Sequence, residues 1–252
     1  MNRERRPRVL MYHAVGTRTA DVDPDNLFVP VEQFERQLDA ITRRGLVPVD
    51  LGVFLTGTAP RRAVLLTFDD AYTSTLELAA PRLAARGWPA VVYVASRTVG
   101  SCSHWNVNPE ERLLDADGLR QLVSHGFEVG AHSRTHCDLR GLDAVGLRDE
   151  IVGSADDLEE MLGVRPRSFA FPFGYHDAAA RAQVETAGFD CAFAVHDGRG
   201  MFALRRVDIN ARDNDRVFTA KLHPAWPLVQ RTAGLVPPLR RVAHRVAGLA
   251  SR

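Results

Sequence analysis

Read for hydrophobic and polar positions, the chain alternates short apolar runs with longer stretches of helical period. Runs of four to seven residues rich in Val, Leu, Phe and Ala lie at 9–13, 46–49, 63–69, 90–95, 128–131, 168–171, 191–195 and 204–209 and predict strands. Between them, stretches at 31–44, 73–86, 117–124, 142–162 and 177–187 place apolar residues three or four apart and predict helices. Strands alternating with helices imply parallel pairing with the helices packed outside. Several helices run into a glycine and then straight into an apolar run, as in "RRGLVPV", "ARGWPAVVYV", "SHGFEVG" and "TAGFDCAFAV". A glycine just past a helix supplies the left-handed turn that returns the chain to the sheet. About eight strands with this punctuation predict one (β/α) barrel over residues 1–212, with 213–252 left as a tail.

Composition narrows the class without changing that picture. A chain of 252 residues, 45% hydrophobic and 25% charged, can bury a substantial core, which excludes disorder and small disulfide scaffolds. The formal net charge of +1 argues against a nucleic-acid binder, which needs a basic excess to displace counterions from phosphate. That total hides an asymmetry. From Arg216 onward there are seven basic residues and no acidic one, so a body of −6 precedes a tail of +7. Within the tail, residues 238–249 can form a helix with Leu239, Val242, Val246 and Leu249 on one face and Arg240, Arg241, His244 and Arg245 around the rest. Such a helix suits an anionic membrane surface; a helix packed on the barrel, or a frayed terminus, would read the same. Cys102, Cys137 and Cys191 are odd in number and not spaced as metal pairs, which fits a reducing compartment. The basic opening "MNRERRPRVLMYHAV" reaches no apolar run of signal-peptide length, so the expectation is a cytoplasmic protein, with the tail able to bring it to the membrane face.

The chemistry concentrates at strand ends. "AVLLTFDDAY" is an apolar strand finishing in Asp69 and Asp70. Neighbours on a strand face opposite ways, but at its end the backbone bends and both carboxylates can reach one pocket in different roles. In "VGAHSRTH", His132 and His136 follow another strand. If that segment turns helically, positions four apart share a face and two imidazoles can bind one cation. Two histidines and a carboxylate, with a position left for water, form a catalytic zinc pattern. Taken singly, an Asp-Asp pair is a common helix cap and an H-x-x-x-H a common surface pair; jointly at strand ends they are much more specific.

"TFDDAY", then "HSRTH", then "FAFPFG" resembles the first three motifs of the NodB-homology polysaccharide deacetylases, a metal-dependent carbohydrate esterase family with a distorted (β/α) barrel. The similarity extends in order and spacing over most of residues 8–210. It implies an N-deacetylase acting on an N-acetylated amino sugar in a saccharide or glycoconjugate, with a divalent metal, Zn2+ before Co2+, Ni2+ or Mn2+. It implies that Asp69 is the general base and that Asp70, His132 and His136 hold the metal. It also implies that the backbone N–H of Phe173, in a loop shaped by Pro172 and Gly174, helps hold the oxyanion.

This sequence departs from the family pattern twice. Where the third motif usually carries an arginine that orients the base, Ala170 stands, and Arg167 is three positions away. The usual Leu-x-x-His segment near the end is also missing, because the last predicted strand reads "ALRRVDIN". Instead "RVLMYHAV" ends a first strand in His13, as in the circularly permuted branch typified by poly-N-acetylglucosamine deacetylases, and this implies His13 as the general acid. Tyr12 is expected to face the core. His104 and Trp105 sit in a polar insertion that could form part of a sugar groove or be an ordered surface loop. His176 and Asp177 could line the cleft, and Asp177 reads equally as a helix cap. Two other readings stay open: deformylation or other amide hydrolysis on a lipid-linked sugar, and an inactive carbohydrate-binding domain, for which the missing arginine is the motive.

Overall fold

A computed structural model describes residues 7–105, 111–195, 198, 200–223 and 226. The helix expected at 238–249 lies outside the described residues. Seven parallel strand positions form the barrel wall. β1 (Arg8–Tyr12) lies beside β5 (Ala63–Phe68), which is followed round the wall by β6 (Ala90–Val94), β7 (Phe127–Ala131), β8 (Ser168–Ala170) and β9 (Cys191–Ala194). The seventh position closes the ring and is one stretch of chain in two pieces. β10 (Leu204–Arg205) pairs with β9, and β11 (Val207–Asp208) pairs with β1, so the single strand expected at 204–209 breaks at Arg206. A short β4 (Val47–Pro48) pairs with the first residues of β5, and β2 (Ala14–Val15) with β3 (Phe28–Val29) forms a separate two-stranded ribbon.

Strand alternation sorts the apolar residues into two cores. On β5, Val64, Leu66 and Phe68 point outward into the layer between wall and helices, while Ala63 and Leu65 point into the barrel. The outer layer is the larger. It takes α1 (Val31–Arg43) through Phe34, Leu38 and Ile41, and α5 (Ala144–Leu162) through Leu147, Ile151 and Leu158. Tyr12 belongs to it, fully buried and stacked on Phe68 at 5.4 Å. Two of the glycines read as helix stops, Gly45 and Gly126, take φ of 60° and 88°, the region where a side chain is strained.

The inner core is closed at the amino-terminal end of the strands by a helix that strand–helix alternation alone did not predict. α2 (Leu51–Thr56) inserts Leu51 and Phe54 among the inward-facing strand residues, Phe54 lying 5.8 Å from Phe193. Its caps are legible in retrospect, since the Asp50 side chain accepts from Val53 N–H and Gly57 ends the helix at φ 71°. The helix expected at 73–86 is interrupted. A π-turn over Thr75–Ala79 runs into α3 (Ala80–Ala84), because Pro81 has no N–H to give to the preceding turn. The remaining wall helices are α4 (Ala116–Ser124) and α6 (Ala178–Thr186). Packed structure runs on past residue 212: α7 (Asp215–Lys221) lies against α1, and Phe218 and Leu222 join the outer core. The buried Lys221 ammonium, counted with the basic tail, donates to Asp213 and to the Asp208 carbonyl. No helix among the described residues is long and apolar enough to cross a membrane.

Candidate active site

The carboxyl ends of β1, β5, β7 and β8 bring the predicted residues together. Tyr12 pairs with Phe68 in register, so the next residues along, His13 and Asp69, are neighbours across two strands, and Asp69 N–H donates to the Tyr12 carbonyl at 2.9 Å. Asp69 continues the inward alternation of β5. Asp70 would face outward, but its φ of 70° and that of Ala71, 56°, turn the chain and swing the second carboxylate back over the barrel mouth. Both side chains are buried, which a plain strand end would not allow.

His132 and His136 do converge, though not as a helical turn. The segment is an open loop in which Ser133 and His136 take φ of 64° and 58°, and Ser133 Oγ accepts from the His136 backbone N–H at 3.0 Å. His132 Nε2 lies 3.6 Å and His136 Nε2 3.2 Å from Asp70 Oδ1. Donor atoms of Asp70, His132 and His136 all fall within 4.8 Å of one another, a group that could hold a metal ion. Two further observations fit a cation. Asp70 Oδ1 is buried without a hydrogen-bond partner, and His132 Nδ1 lies 2.7 Å from the Ala170 carbonyl, the hydrogen bond that holds its proton there and leaves the Nε2 lone pair facing the group. Burial lowers the His132 pKa to about 4, so the ring is neutral at physiological pH, the state in which an imidazole can take a metal. For Asp70, burial raises the carboxyl, but the nearby imidazoles outweigh it and hold it well below the usual range.

Asp69, whose Oδ2 lies 4.0 Å from His132 Nε2, is gripped by a residue that sequence reasoning missed. Arg206, fully buried at the break between β10 and β11, donates to both Asp69 oxygens, Nη1 to Oδ1 at 2.6 Å and Nη2 to Oδ2 at 2.7 Å. The strand break lets this happen: Arg206 N–H still donates to Ala194 while the side chain crosses the barrel over the Tyr93 ring, 5.4 Å from its centre. Tyr93 itself needs Gly130, where a Cβ would stand 2.3 Å from the ring. Burial raises the Asp69 carboxyl, and Arg206, His132 and His13 outweigh that effect and leave it lowered. Arg167 takes no part; it pairs with Asp190 at 2.8 Å near the start of β8 and β9, the opposite end of the barrel. The signal for Arg206 was its place inside an otherwise apolar closing strand, where an arginine needs a buried partner.

His13 stands beside both carboxylates, its Nδ1 buried without a partner. Phe173, in the turn Pro172–Gly174 after β8, takes φ 58° and is half exposed, its ring 4.7 Å from His136. Gly174 is required there, because a Cβ would come within 2.5 Å of Val195. Trp105 joins the site, stacked on His136 at 4.1 Å, with His104 against its edge. Asp177 is the cap of α6, accepting from Ala180 N–H, while His176 packs on Phe171. Among the described residues none of the three cysteines is in a disulfide.

A parallel barrel that gathers a buried Asp-His-His group able to hold a metal ion, a second carboxylate in the fork of an arginine and a neighbouring histidine at its carboxyl end has the layout of a barrel enzyme, whose active site lies at that end. Comparison with known proteins makes this particular. The polysaccharide deacetylase family profile matches residues 56–192, more than half of the chain. The chain belongs to the polysaccharide deacetylase family and is a deacetylase. YxkH of Bacillus subtilis (strain 168) is 24% identical over 222 residues, covering 84% of this chain and 74% of YxkH. A chitin deacetylase from Pestalotiopsis sp is 27% identical over 150 residues, 58% of this chain and 45% of that protein. Among solved structures, the Streptococcus pyogenes deacetylase PplD superposes with a TM-score of 0.75 at 19% identity, covering 86% of this chain and 98% of PplD. IcaB from Ammonifex degensii gives 0.72 at 22%, covering 85% and 96%. At these identities the structural likeness establishes the distorted barrel fold.

Proposed function

We propose that the protein hydrolyses the acetamide of an N-acetylated amino sugar within a saccharide or glycoconjugate, with Asp70, His132 and His136 holding a divalent cation, zinc by preference. One observation carries the reading: two adjacent aspartates are placed in different circumstances, Asp70 against two imidazoles and Asp69 in the fork of Arg206. A cation bound there supplies Lewis acidity, polarising the acetyl carbonyl and making water more acidic.

Asp69 then acts as base. Its charge is maintained by Arg206, and the bidentate fork fixes the carboxylate plane so that a remaining lone pair can take a proton from the attacking water. The water oxygen bonds to the acetyl carbon, and the Phe173 backbone N–H donates to the carbonyl oxygen as it gains charge. His13 delivers a proton to the nitrogen as the C–N bond breaks, since an amine anion is a very poor leaving group. Acetate and a free amine result. Arg206 supplies the orientation that Ala170 cannot, and this favours an enzyme over an inactive binding domain.

Acetate release from N-acetylglucosamine oligomers, measured with metal content, tests the proposal. We expect release that stops on chelation and returns with added zinc. Metal-loaded protein that releases formate from N-formylated sugars, and no acetate from any N-acetylated oligomer, would overturn it in favour of deformylation.

A further inference from the structure

The loop carrying His132 and His136 is held from outside by one face of α5. Glu150, only 8% exposed, directs its carboxylate at the loop backbone. Its Oε2 accepts from Arg134 N–H at 2.9 Å and from Thr135 N–H at 3.0 Å, and its Oε1 accepts from Thr135 Oγ1 at 2.7 Å. One turn on, Gly153 leaves a bare patch of helix on which the Arg134 guanidinium lies; a Cβ there would come within 2.6 Å of Arg134 Nε. Asp149 and Asp157 bracket the same guanidinium. Arg134 Nε and Nη2 donate to Asp157 at 2.8 and 2.6 Å, and Asp157 also accepts from Ser96 Oγ after β6.

Ser133 and His136, on either side of the two residues Glu150 grips, are the loop's left-handed positions. A non-glycine residue stays in that conformation only when its surroundings over-determine it. Toward the barrel, the histidine pair is fixed by the bonds from His132 to the Ala170 and Val94 carbonyls, by Ser133 Oγ accepting from His136 N–H, and by the rings packed on His136. The backbone between them is held on one side by Ser96 and Arg97 after β6, whose N–H groups donate to the Ser133 and Arg134 carbonyls at 3.1 and 2.9 Å, and on the other by α5, which alone takes the Arg134 and Thr135 N–H groups. We infer that Glu150 is a positioning residue for the metal site: through Arg134 and Thr135 it sets the separation of the two imidazoles, and thereby the affinity and geometry with which they take a cation. This rests on reading Asp70, His132 and His136 as ligands. Glu150 itself touches neither the substrate nor the ligand atoms.

Cobalt(II) titration of the full chain, followed by visible absorption, tests the inference, because the intensity and position of the cobalt bands report coordination geometry. Glu150→Ala removes all three loop bonds. It should weaken cobalt binding by about tenfold to a hundredfold and shift the bands. Glu150→Gln can still accept both N–H groups through its carbonyl oxygen and donate to Thr135 Oγ1, and should bind within about threefold of the unaltered protein with its spectrum. Thr135→Val deletes one bond without touching the helix and should weaken binding by a few fold; it decides the matter if Glu150→Ala does not fold. Unchanged affinity and spectrum in Glu150→Ala, or in Thr135→Val where that variant decides, would overturn the positioning role. Failure of the unaltered protein to bind cobalt at all would instead overturn the ligand assignment beneath it.

Discussion

The two ends of the barrel are built on opposite terms. At the amino-terminal end, α2 fills the opening with Leu51 and Phe54, begins at an aspartate cap and ends at a glycine. Local preference and tertiary packing agree there. At the carboxyl end, five of the six non-glycine residues with positive φ among the described residues lie in three loops: Asp70 and Ala71, Ser133 and His136, and Phe173. Each such position costs ~1–3 kcal/mol, and the same loops bury Asp69, Asp70, His132 and His136. Stability therefore resides in the plug and the wall, and the mouth is held in unfavourable conformations by its neighbours. A functional surface tolerates that cost because strained, desolvated groups are already arranged for the charges that develop during reaction.

Substitutions can separate the two ends. Arg206→Leu should have the largest effect because it joins both: a buried carboxylate loses its partner, costing about 3–5 kcal/mol of stability, and Asp69 loses its orientation. Denaturant unfolding and acetate release should fall together, and Arg206→Lys, a point charge without the fork, should recover only part. His13→Ala should leave unfolding nearly unchanged and slow amide hydrolysis by about 10²–10⁴. An acetyl ester with an acidic leaving group should be hydrolysed with much less loss, since it needs no proton. Phe54→Ala reverses that pattern, destabilising by about 3–5 kcal/mol while turnover per folded molecule stays the same; a large drop in turnover would show that the two ends are coupled. Asp50→Ala, which removes only the cap of α2, should cost ~1 kcal/mol in the same unfolding assay.

The same division explains what was legible in the sequence. Apolar runs gave the wall because inward and outward faces are both buried, and "TFDDAY", "HSRTH" and "FAFPFG" pointed to the candidate site because each spans or directly follows the carboxyl end of a strand. The mechanism of convergence was less legible. Spacing suggested a helical turn for His132 and His136, whereas Ser133 and His136 bend the chain by taking left-handed φ. Arg206 is not legible from the motif pattern, which puts an arginine at the position of Ala170, in the third motif. Closing the barrel with a broken strand brings residue 206 to residue 69 across the interior, a contact that only the topology reveals. The polar insertion around Trp105 gave no hint that its indole would stack on a candidate ligand.

The account stands most directly on the separate duties of Asp69 and Asp70. Zinc stoichiometry and acetate release should be measured on the same preparations of Asp69→Asn and Asp70→Asn. Asp69→Asn should retain about one zinc per chain and lose turnover by about 10²–10⁴, whereas Asp70→Asn should lose zinc and activity together. Full turnover in Asp69→Asn, or equal loss of zinc in both variants, would contradict the assignment.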